Sequence, residues 1–196
     1  MSRSALGICV AVFVFAPVAA SAHVGAGDTH GFAHGFSHPL SGIDHVLAMI
    51  AVGLFAAHLG GRALWLVPLS FVSVMVIAGV AGMDGIRLPF GEVGIAMSVV
   101  VLGLATAFQV SVSTLVAMTL VGFFAIFHGH AHGAEMPETV SGLSYGAGFV
   151  CATAMLHAIG IGLSRAIGKT GVYAPRIVQI AGSGMAITGL AILTLS

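Results

Sequence analysis

Residues 64–82 read LWLVPLSFVSVMVIAGVAG, nineteen consecutive positions without a charged side chain. About 20 apolar residues in a helix cross the hydrocarbon core of a bilayer, so this stretch reads as a membrane span. Trp65 beside Arg62 makes an ordinary interfacial anchor for it. Working outward, five more apolar runs appear at 41–59, 91–108, 111–129, 142–163 and 176–195. The third and fourth runs are parted only by a few residues near Gln109 and Ser111, which predicts a tight hairpin.

Composition agrees with this reading. Only 6% of the 196 residues are charged and 58% are hydrophobic, with a mean hydropathy of +1.11. A water-soluble domain carries about 25% charged residues, so most of this surface must face lipid. The expected fold is an all-α integral membrane protein with about six transmembrane helices. The length leaves no room for a sizeable soluble domain, and the formal net charge of zero gives no reason to expect nucleic acid. The 28 glycines suit close helix–helix approach within a bilayer.

Residues 1–22, MSRSALGICVAVFVFAPVAASA, have the form of a cleavable signal peptide. Arg3 supplies the basic start, an apolar stretch follows, and Ala20-Ser21-Ala22 supplies the small-residue cleavage site. Cleavage would leave His23 first, an external segment over 23–40 and a transmembrane domain over 41–196. Cys9 falls in the signal peptide and Cys151 in an apolar run, so no disulfide is expected. With the N-terminus outside, the cytoplasmic loops hold Arg62, Arg165, Lys169 and Arg176 and the external loops only Arg87, as the positive-inside rule asks. The expected location is a bacterial inner membrane, with the N-terminus periplasmic.

Histidine is the unusual residue: ten are present, against six Lys and Arg together. His23, His30, His34 and His38 lie in the N-terminal segment, and FHGHAHGAEMPE over 127–138 lies in the loop after the fourth run. The alternation of spans puts both clusters on one side of the membrane, where they could form one site.

Three constellations carry chemistry. In HPLSGIDHVLAM (38–49), Asp44 and His45 occupy the first turns of a helix that Pro39 starts or precedes. An acidic residue at that depth is costly without a partner, and a cation beside His45 would supply one. The alternative is a helix N-terminus in which Asp44 meets the dipole and His45 hydrogen-bonds to it. In the second, His128, His132 and Glu135 share one stripe if the helix continues, because they are spaced i, i+4 and i+7. Imidazole with carboxylate suits nickel, cobalt and zinc. His130 points elsewhere, as a capture ligand or a loop residue. In the third, His157 sits within an apolar run one turn after Thr153, as a relay ligand, a proton acceptor or a donor to a backbone carbonyl. Met49 reads first as packing, and His58 near Arg62 as an interface marker or an exit ligand. No GxxxxGK[ST] and no HExxH occur, which removes an intrinsic ATPase and a zinc protease of that type.

The pattern His38-Pro39-x-x-Gly42-x-Asp44-His45-x-x-Ala48-Met49-x-x-Val52-Gly53, with His128-Gly129-x-Ala131-His132-Gly133-x-Glu135 and Leu156-His157-x-x-Gly160, resembles the HupE/UreJ family. The resemblance covers almost the whole chain. It implies a secondary permease for nickel, or in some members cobalt, serving hydrogenase or urease maturation proteins. Ni²⁺ or Co²⁺ would then be transported substrate, with no prosthetic group and no ATP-binding subunit. His23, His30 and His34 would capture the ion. An inner site of His38, Asp44, His45, His128, His132 and Glu135 would strip its water, and His157 would be the next station. Metal ligands must be deprotonated, so uptake should weaken as external pH falls toward about 6.5. A membrane-embedded metallohydrolase and a metal sensor or accessory protein that transports nothing are the rival readings. Oligomeric state is left open.

Overall fold

A computed structural model describes residues 29–137 and 140–195, with side chains from residue 31 onward. The expected signal peptide and His23 lie outside these residues. The described chain is all-helical: α1 (Thr29–Ser41), α2 (Ile43–Leu59), α3 (Ala63–Met83), α4 (Gly91–Ala107), α5 (Thr114–Ala134), α6 (Gly142–Gly168), a 3₁₀ turn at Gly171–Tyr173, and α7 (Ala174–Leu195). Each of the six apolar runs became one helix, α2 to α7.

Three particulars differ from the sequence reading. The segment before the first run is itself helical, and Pro39 lies inside α1 rather than at the start of α2. Its buried stripe is Gly31, Gly35 and Pro39. Small residues at i, i+4 and i+8 carry no hydrophobic signal, yet they let α1 lie against α6. A Cβ on Gly35 would collide with the Tyr145 carbonyl, and one on Gly148 with that of Phe32. Second, Gly42 is extended (φ −98°, ψ 123°), and the chain turns by 85° there between α1 and α2. Third, α5 begins at Thr114, where Ser113 accepts a hydrogen bond from the Val116 N–H at 3.4 Å. It then runs to Ala134, past the predicted limit of 129, with His128 and His132 buried against neighbouring helices.

Four segments are each long and apolar enough to cross a membrane: α3, α5, α6 and Gly171–Leu195. The pair α1 and α2 qualifies together as one broken segment, and α4 is a shorter apolar helix of 17 residues. At 1.5 Å per residue α4 is about 26 Å long, a little under a typical hydrocarbon thickness of about 30 Å.

Glycine sets how the helices pair. On α5, a Cβ at Gly129 or Gly133 would strike the backbone of Met75 or Gly79 on α3. Gly53 of α2 meets Gly160 of α6, and Gly103 of α4 meets Gly182 and Ala186 of α7 in the same way. Such contacts replace the hydrophobic drive that lipid removes. Large apolar side chains such as Trp65, Ile77, Leu115, Leu143 and Ile180 point outward, while His45, Ser98, His128, His132, Thr153 and His157 are buried. Outward apolar surface and an inward polar file are what a lipid environment favours.

Candidate metal centre

Three helices, α1, α2 and α5, bring the imidazoles and carboxylates together. The bend at Gly42 places His38, at the end of α1, and Asp44 and His45, at the start of α2, beside the last two turns of α5. One helical turn separates His128 from His132, so both present to the same neighbours. Glu135 caps the end of α5.

At the mouth, His38 Nε2 lies 3.1 Å from Glu135 Oε2, and His132 Nδ1 lies 4.0 Å from the same oxygen. Ligand-capable atoms of His38, His132 and Glu135 all fall within 4.8 Å of one another. Two ligands each about 2.1 Å from an ion stand no more than about 4.2 Å apart, so small side-chain rotations would close the set. Glu135 is 54% exposed at its side chain and His38 only 24%, which makes this end accessible from outside the bundle.

Further in, the rings meet edge to face in a file. His132 lies 4.7 Å from His38 and 4.2 Å from His45, and His45 lies 4.8 Å from His128, between ring centroids. Asp44 Oδ1 accepts from both the backbone N–H and the ring Nδ1 of His45 at 2.7 Å. A carboxylate only accepts, so Nδ1 carries the proton and the buried Nε2, which has no partner, keeps its lone pair. Beyond His128, Phe71 packs against both His128 (5.6 Å) and His157 (5.3 Å). Six imidazole nitrogens of His45, His128, His132 and His157 are buried without a hydrogen-bond partner. Leaving a polar atom so costs about 1–3 kcal/mol each, and a divalent ion, which takes one nitrogen from each neutral imidazole, would recover part of that cost.

The structure therefore gathers His38, Asp44, His45, His128, His132 and Glu135 into one cluster. The other candidates stand apart from it. His34, on the exposed face of α1, is 6.4 Å from His38 between centroids. His30 lies on α1, with its side chain outside the described set. His130 turns away and hydrogen-bonds to the Ile86 carbonyl. His157 is buried deeper, behind Phe71. At the far end of α2, His58 donates to the Gln109 carbonyl at 2.9 Å beside a cavity of about 170 Å³ that Thr106, Gln109 and Ser164 help line. Met49 is core.

Sequence reading passed over Tyr145, Phe149, Phe71 and Ser98. Tyr145 and Phe149 wall the cluster against α6, 6.0 Å from His38 and 4.3 Å from His132. Ser98 Oγ lies 2.9 Å from His128 Nε2. Ser98 had a signal available: it is the lone polar residue between Glu92 and Thr106. An apolar groove of about 530 Å³ between α3, α5 and α6 also reaches His132 and Tyr145. Apart from His132 and Tyr145 its lining is apolar.

Fold and site together define a multi-pass helical membrane protein with a histidine–carboxylate cluster at one end of its interior. This chain belongs to the HupE/UreJ family: the family model, HupE / UreJ protein, matches residues 10–192. It is 48% identical over 178 residues to Protein HupE of Rhizobium leguminosarum bv. viciae, covering 90% of this chain and 91% of that one. No solved structure matches it.

Proposed function

We propose that the protein is a secondary transporter that imports a divalent transition metal, Ni²⁺ or Co²⁺, across a bacterial inner membrane. In this reading α2 to α7 make six spans, the cluster faces the periplasm, and the imported ion supplies hydrogenase or urease maturation. The observation that carries it is the file of imidazoles. A structural site would be closed and fully satisfied. Here Glu135 and His38 at an accessible mouth lead through His132 and His45 to the buried His128, with His157 one aromatic ring further in.

Glu135 and Asp44 offset the ion's charge where the dielectric is low, and imidazoles replace its water. An inward-negative potential favours entry by roughly 2.3 kcal/mol per charge per 100 mV. Membership of the family and the outward apolar surface both support the reading.

The test is uptake of radioactive nickel by metal-starved cells that lack their own nickel importers, with cobalt and zinc as competitors. Wild type should accumulate nickel, while Asp44→Ala, His45→Ala and His132→Ala at matched membrane levels should not. A wild type that binds the metals in detergent yet accumulates none would sink the transport reading in favour of a sensor.

A further inference from the structure

The deepest imidazole in the cluster is hydrogen-bonded to a residue of another helix. Ser98 of α4 and His128 of α5 are both 0% exposed. Ser98 Oγ lies 2.6 Å from the Ile95 carbonyl, which only accepts, and 2.9 Å from His128 Nε2. With its one proton on the shorter contact, the hydroxyl meets Nε2 as an acceptor. Nε2 then carries the ring proton, and the lone pair resides on Nδ1, which is buried and has no partner. His45, at 4.8 Å between centroids, lies beside the same ring.

We propose that Ser98 is a positioning residue for metal binding: by accepting from Nε2–H it fixes the ring of His128 and presents Nδ1 as the ligand atom. The proposal rests on reading the cluster as a metal site. Ser98 does for His128 what Asp44 does for His45, with opposite ring nitrogens. Asp44 holds Nδ1 and frees Nε2, whereas Ser98 holds Nε2 and frees Nδ1. Back-bonding of Ser98 to its own helix would satisfy the hydroxyl alone. It would not explain why the acceptor side of that hydroxyl meets an imidazole from a helix 30 residues further along the chain. Outer partners of metal-bound histidines typically account for 10–100-fold in affinity.

The test is calorimetric titration of Ni²⁺ into purified full-length protein in detergent, for wild type, Ser98→Ala, His128→Ala and the double variant. Ser98→Ala should weaken binding about 10–100-fold and add nothing in the His128→Ala background. Long-range ¹⁵N–¹H spectra of the metal-free wild type should show His128 protonated at Nε2. Wild-type affinity in Ser98→Ala, an equal loss in both backgrounds, or a proton on Nδ1 of His128 would each overturn the proposal. A wild type that binds no nickel would overturn the metal site itself. A loss in His128→Ala without one in Ser98→Ala would overturn only the role of Ser98.

Discussion

A single oxygen of Asp44 accepts both the backbone N–H and the ring Nδ1–H of its neighbour His45, each at 2.7 Å. The carboxylate thus orients the ring as well as adding charge, an arrangement that raises ligand basicity in metal sites. Asp44→Ala is expected to weaken Ni²⁺ binding about 10–100-fold in calorimetric titration. Its thermal midpoint without metal should also fall, because the buried His45 Nδ1–H loses its acceptor, at a cost of about 1–3 kcal/mol.

The mouth and the interior should separate kinetically. In the proposed import path Glu135, half exposed, is the first ligand. Glu135→Gln is expected to raise the KM for uptake several-fold while leaving the maximal rate near wild type. His45→Ala, deeper in the file, should lower the maximal rate. Initial uptake rates across a nickel concentration series at matched expression check this, and an unchanged KM for Glu135→Gln would remove it from the capture step.

The backbone contact between α3 and α5 should tolerate no side chain. Gly133→Leu would drive its Cβ into Gly79, and Gly129→Val into Met75. Overpacking of this kind costs about 1–3 kcal/mol or more. Heating the detergent-solubilised protein and measuring the monodisperse fraction should show both variants failing at lower temperature. Gly146→Ala, with open space around its Cβ, should behave as wild type.

Protons compete with metal for imidazole. Ligands must be deprotonated to bind, so Ni²⁺ affinity should fall as pH is lowered. Titrations at a series of pH values check this, and an affinity that rose on acidification would count against imidazole and carboxylate ligation.

The six long helices could be read from the sequence because a lipid-facing helix must be apolar over its length. Helix α1 could not, because its buried stripe is Gly31, Gly35 and Pro39, which bury by being small. Within the site, the stripe of His128, His132 and Glu135 followed from helical spacing alone. The meeting of His38 with Glu135, 97 residues apart, followed from counting spans. His130 separates from its neighbours because a two-residue step turns to the far side of a helix. The partnership of Ser98 with His128, and the walls made by Tyr145, Phe149 and Phe71, arise from which helices pack together, and single-chain periodicity carries no trace of that.

Whether the file of histidines conducts an ion or merely holds one is decided most directly in sealed vesicles. Purified protein would be reconstituted into liposomes containing a nickel-quenched dye, with an inward-negative potential imposed and Ni²⁺ added outside. Wild type is expected to quench the dye at a rate that rises with the potential, with His45→Ala and His132→Ala vesicles near the protein-free rate. Wild-type vesicles that bind nickel at their surface but quench no faster than empty ones would contradict import through this cluster.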